Sequence, residues 1–165
     1  MLSVILAVDG SPSMERTVTF ARGLLANRPA SITVLHVIPL HILYSKGGAA
    51  PEEVYDMPEE RAACTRMLNS CAEELRSAGV GPTIATRLVV GDAADQILGL
   101  AETQHADLVV LGSRGLNAMQ RFLLGSVSTK VAAHAPCAVL VVHPKEIAGE
   151  AAVVSQTSPN TAAQA

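Results

Sequence analysis

Aromatic side chains are nearly missing from this chain. It has no tryptophan, two phenylalanines and two tyrosines, 2% of 165 residues. Any core must therefore come from Val, Leu, Ile and Ala. A basic excess is missing as well: the formal net charge is -3, which argues against a nucleic-acid partner, since that needs a basic face. No window approaches the roughly 20 apolar residues of a membrane span, so no membrane association is expected. The stretch MLSVILAVDG has no basic segment ahead of its apolar run, which stops at Asp9. It reads as a first strand rather than a targeting signal, and the expected compartment is the cytoplasm. Three cysteines, an odd number, fit reduced thiols. Cys64 and Cys71 share a helical face with no third ligand at metal spacing, so packing is expected of them. The histidines at 36, 41, 105, 134 and 143 are scattered and form no metal cluster. His36 reads as a packed strand residue and Lys130 as a solvated one.

What is present is a globular composition of 49% hydrophobic and 16% charged residues, at a length that fits one domain. Strand-like and helix-like segments alternate. SVILAV (3–8) is the first strand; Ser11 and Pro12 then suit the cap and first turn of a helix, with Val18, Ala21, Leu24 and Leu25 inward, to about Asn27. SITVLHVI (31–38) is a second strand. Residues 39–57, with Gly47-Gly48 and two prolines, read as a mobile loop. A helix over 58–78 carries an apolar stripe of Ala63, Cys64, Met67, Leu68, Cys71 and Leu75, and Gly79 ends it. TIATRLVV (83–90) is a third strand. Asp92 caps the next helix, with Ile97, Leu98 and Ala101 inward. ADLVVL (106–111), SVSTKVAAHA (126–135) and CAVLVVH (137–143) supply the fourth strand, the last helix and the fifth strand. The tail, 146–165, has a disordered composition.

Five strands interleaved with helices imply an α/β fold, an open parallel sheet with helices on both faces. In such sheets ligands lie beyond the carboxyl ends of the strands, where the strand order reverses. Residues 112–129, GSRGLNAMQRFLLGSVST, fall there. Gly112 follows the fourth strand, and Gly125-Ser126 opens the last helix. A helix start presents unpaired N–H groups and the positive end of its dipole, which suits phosphate. Glycine lets backbone approach a bulky anion. Ser126 and Ser128 add hydroxyls, and Arg114 and Arg121 add charge. Four or five charge-assisted hydrogen bonds, at roughly 1.5–3 kcal/mol each, suffice for a micromolar complex. The same glycines equally well make turns. Neither a Walker A string nor a G-x-G-x-x-G fingerprint occurs.

The spacing Gly112-x2-Gly115-x9-Gly125-Ser126 resembles the ATP-binding motif of the universal stress protein family. ILAVDGSP (5–12), VLHVI (34–38), GDAADQIL (91–98) and APCAVLVVHP (135–144) resemble that family's first strand and turn, second strand, third helix start and last strand. The likeness covers about residues 1–145, taken as one domain ahead of the tail. It implies a Rossmann-like sheet of order 3-2-1-4-5, of the adenine nucleotide alpha hydrolase type, in a homodimer. It implies ATP with Mg2+ or Mn2+ on the phosphates. Asp9 would face adenine and ribose, or an ion, and Val37 would offer backbone bonds to adenine. Gly112 and Gly115 would lie against ribose and phosphates with Arg114 between them, and Gly125, Ser126, Val127 and Ser128 would wrap the phosphates. Arg114 stands where many members have histidine, and Ala7 where some have proline.

An ATP-binding regulatory or stress-response protein is the leading reading, with at most slow hydrolysis, because no carboxylate or histidine lies within 112–129 to orient a water. No catalytic residue and no protein-held metal is assigned. An adenylate-transferring or ATP-cleaving enzyme is the second reading, but its expected loops are replaced by VDGSPS after the first strand. A dimeric interaction module without nucleotide is the third. The apolar strand 138–142 is the expected dimer edge, and a protein partner remains open.

Overall fold

The computed structural model describes residues 1–39, 58–113 and 124–143. Of the loop expected over 39–57, Pro39 instead ends the second strand, where it pairs with Gly91; the rest, 40–57, and the tail 146–165 lie outside the described residues. Strands and helices alternate: β1 (Leu2–Val8), α1 (Met14–Leu25), β2 (Ala30–Pro39), α2 (Pro58–Ser77), β3 (Thr83–Gly91), α3 (Ala93–Thr103), β4 (Leu108–Gly112), α4 (Ser126–His134) and β5 (Ala138–Val142). The strands are parallel and pair in the order β3-β2-β1-β4-β5. No helix among the described residues is long and apolar enough to cross a membrane.

Period two in the strands feeds two cores. Val4, Leu6 and Val8 of β1 join Val18, Ala21 and Leu25 of α1 and Leu68, Cys71 and Leu75 of α2. Ile5, with Leu35, Val109 and Leu111, packs under Ile97, Leu100 and Ala101 of α3 and Val131 of α4. A strand covered on both faces reads as an unbroken apolar run, as β1 does. Each fully buried Val, Leu or Ile contributes about 1.5–3 kcal/mol, so aliphatic residues suffice without aromatics.

Several boundaries differ from the sequence reading. Helix α1 begins at Met14, not at Pro12, and Ser13 rather than Ser11 stands at its N-cap. The cause is Asp9. Its carboxylate accepts the Ser11 N–H at 3.0 Å, and Gly10 supplies φ +74° for the bend. Ser11 then belongs to a turn, closed when its carbonyl accepts the Met14 N–H at 2.9 Å. In α2, Ala63 is exposed and Ala72 is buried instead. Five positions before Leu68, Ala63 points about 140° away from the buried face. In α3, Leu98 is half-buried and Leu100 joins the core. Strand β4 starts at Leu108 because the Ala106 N–H closes the end of α3 on the Ala101 carbonyl. Gly79 ends α2 as expected. At φ +68° it lets its N–H and that of Val80 reach back to the carbonyls of Arg76 and Leu75.

Candidate functional site

The sheet's strand order reverses at β1, between β2 and β4, and the three strands end at different heights. Val8, the last residue of β1, pairs with His36. Strand β2 continues three residues further, and there Val37, Ile38 and Pro39 pair with β3 alone. On the other side, β4 runs out at Gly112, level with Val142 of β5. A notch is therefore left above the end of β1. Its walls are the β2 overhang, the Asp9 turn and the exit of β4.

Asp9 sits half-buried in the floor of this notch, one residue past the strand. Its Oδ1 holds the turn through Ser11. Val37 lies on the overhang with its side chain buried in the second core, so only its backbone can address the notch. The ring of His36 is buried, and its Nδ1 donates to the Val8 carbonyl at 2.8 Å. That bond fastens the overhang to the end of β1. The packed role read for His36 thus carries a specific partner, 28 positions away, which the spacing did not reveal.

Gly112 and Gly125 are brought together by the Ser113 peptide. Ser113 donates its N–H to the Val142 carbonyl, 2.8 Å, and its own carbonyl accepts the Gly125 N–H, 2.8 Å. The Ser113 hydroxyl is buried and has no hydrogen-bond partner among the described residues. Arg114 and Gly115 lie outside the described residues. Helix α4 then starts at Ser126, with Gly125 as N-cap and no side chain closing it. The first helical N–H to meet a helix-side carbonyl is that of Thr129, on Gly125. The N–H groups of Ser126, Val127 and Ser128 meet no acceptor among the described residues. Three convergent donors at the positive end of a helix fit an anion. Gly125 has φ -63° and ψ 159°, which any residue adopts, so a glycine here serves close approach rather than an unusual backbone.

Lys130, one turn into α4, is not simply solvated. Its ammonium lies 2.7 Å from Asp95 and 3.4 Å from Asp92. The hydrogen bond to Asp95 raises its pKa. The Asp95 N–H, then Lys130, lower that of Asp92. The cation thus bridges two helices rather than standing free for phosphate. The three cysteines are free thiols, each with its pKa raised mainly by burial. This suits packing, as at Cys64, which packs with Leu88 and Val90 around Ile38. Among the described residues no three His, Cys, Asp or Glu side chains gather as a metal site.

A doubly wound parallel sheet with a glycine-opened helix beside its switch point defines a Rossmann-like α/β protein. The chain belongs to the universal stress protein family, whose model matches residues 1–143. It is 36% identical to a universal stress protein of Staphylococcus aureus (strain USA300) over 149 residues, covering 88% of this chain and 86% of that one. Its fold is similar to that of a universal stress protein solved in complex with cAMP, with TM-score 0.62 and 29% identity over 86% of this chain and 96% of the other. It is also similar to a family protein from Arabidopsis thaliana with AMP bound, with TM-score 0.65 and 24% identity over 88% and 94%.

Proposed function

We propose that this chain binds an adenine nucleotide, ATP with Mg2+ or Mn2+ on its phosphates, and acts as a regulatory protein in the cytoplasm rather than as an efficient enzyme. The observation that carries this reading is the open start of α4 beside the notch at β1. Adenine would lie against the Val37 backbone, ribose near Asp9 and Gly112, and the phosphates on the N–H groups of Ser126, Val127 and Ser128, with Gly125 allowing the approach and Arg114 and Gly115 completing the loop. The cAMP and AMP held by two fold relatives support an adenine nucleotide as the class of ligand. The chain's own residues bind and orient. The metal would supply charge neutralisation on the phosphates. Hydrolysis is slow in this reading because Asp9, the carboxylate at the notch, has one oxygen committed to the Ser11 N–H. Strand β5 forms a sheet edge whose Val139, Leu140 and Val141 are only half-buried, which supports a homodimer joined there.

Thermal unfolding with and without ATP and Mg2+ tests the reading. At a ligand concentration about 100 times Kd, binding adds about 2.7 kcal/mol, a shift of about 5–10 °C in Tm. Gly125→Val should abolish that shift and leave the nucleotide-free Tm within about 2 °C, since the backbone there accepts valine. A shift of the same size in the variant would remove the helix start from the site.

A further inference from the structure

The family resemblance implies that Ser128 is among the phosphate-binding residues, yet its side chain is occupied elsewhere. Ser128 is 3% exposed. Its Oγ lies 2.9 Å from the Gly125 carbonyl and 3.1 Å from the Ser113 carbonyl. A hydroxyl has one proton to donate, and both neighbours are acceptors, so that proton is shared between two backbone carbonyls. The Ser113 carbonyl also accepts the Gly125 N–H. Ser113 borders the segment 114–123, and Gly125 lies just past its far end, after Leu124. Both meet at one carbonyl, and Ser128 clamps it from the first turn of α4.

We infer that Ser128 is a positioning residue: its hydroxyl acts on the Ser113 carbonyl and fixes the spacing between the exit of β4 and the start of α4, leaving ligand contact to its backbone N–H. This deepens the nucleotide reading and rests on it for the ligand. The frame itself is independent of any ligand. Thr129 and Ser126, also hydroxyl residues of this turn, are exposed, so the role falls to Ser128 alone.

The test compares wild type, Ser128→Ala and Ser128→Thr in the full-length protein. Amide hydrogen exchange at Gly125 is measured without nucleotide, and Kd is measured for AMP and for adenosine. The expected result for Ser128→Ala is faster Gly125 exchange, AMP binding weakened about five- to tenfold, and adenosine binding within about twofold of wild type. Threonine keeps a hydroxyl able to bond the same carbonyls and should restore both readouts. If AMP binding weakens while Gly125 exchange stays at its wild-type rate, the hydroxyl touches the ligand directly and the inference is wrong. If neither changes, it is also wrong. A wild type that binds no AMP overturns the nucleotide reading but not the frame, which the exchange rates still decide. Should the alanine variant fail to fold, Ser128→Cys replaces it, as a similar volume with a weak donor.

Discussion

Two helix starts lie close together in this molecule and solve one backbone problem in opposite ways. Helix α3 is closed. Asp92 is its N-cap and accepts the Asp95 N–H at 3.0 Å. Asp95 adds negative charge in the first turn, and Lys130 reaches across to both carboxylates. Helix α4 is open. Its N-cap is a glycine, its first turn holds no acid, and no side chain among the described residues meets its leading N–H groups. A glycine at this position forgoes only a few tenths of a kcal/mol of helix stability relative to a capping side chain. The difference supports the proposed placement of the ligand: a helix whose own residues satisfy its start has nothing left for an anion, whereas an open start beside a sheet's switch point has donors to offer.

Closing the open start is the strongest way to break this contrast. Gly125→Asp places a carboxylate where Asp92 stands in α3, on a backbone conformation that tolerates it. It should weaken nucleotide binding on the order of a hundredfold, by occupying an N–H and repelling phosphate, while helix stability rises by a few tenths of a kcal/mol. Isothermal titration and thermal unfolding read the two effects, and undiminished affinity would separate the helix start from the ligand.

Opening the closed start is the converse. Asp92→Ala should cost about 1 kcal/mol, or about 2–4 °C in Tm. Because hydrogen bonding to the Asp95 N–H depresses the pKa of Asp92, the stabilisation is present above the unfolded carboxylate's value of about 3.9. It is lost as pH falls through the lower folded value. The Tm difference between wild type and variant should therefore narrow only in that acid range. A difference that persists below it would assign the effect to something other than the ionised cap.

The smallest effect belongs to the bridge between the two starts. Lys130→Met should lower Tm little or not at all, because the pair is exposed, and any loss should vanish in about 1 M salt. A larger loss, insensitive to salt, would show that α4 depends on the bridge for its position.

Legibility in the sequence followed the range of the interaction. Asp92 as a cap and Gly79 as a stop were readable because each acts within five residues. The glycine–serine string marked the open helix for the same reason. Ser11 was misread as the cap because Asp9, two residues earlier, competes for it. Ala63 was wrongly placed on the inner face of a helix whose buried face is set by the sheet beneath it. The bond from His36 to Val8, the clamp from Ser128 to Ser113 and the bridge from Lys130 to Asp92 span 28, 15 and 38 positions. No local pattern announces them.

By itself the sequence determined the alternation of strands and helices, the aliphatic cores and the place where a helix begins without a cap. These depend on side-chain period and on backbone preferences of neighbouring residues, which are local properties of the chain. Only the tertiary structure decided which donors remain open there. Folding brings Ser113, Gly125 and Ser128 to one carbonyl and Lys130 to two carboxylates, and a hydrogen-bonding group already held by one partner is unavailable to another.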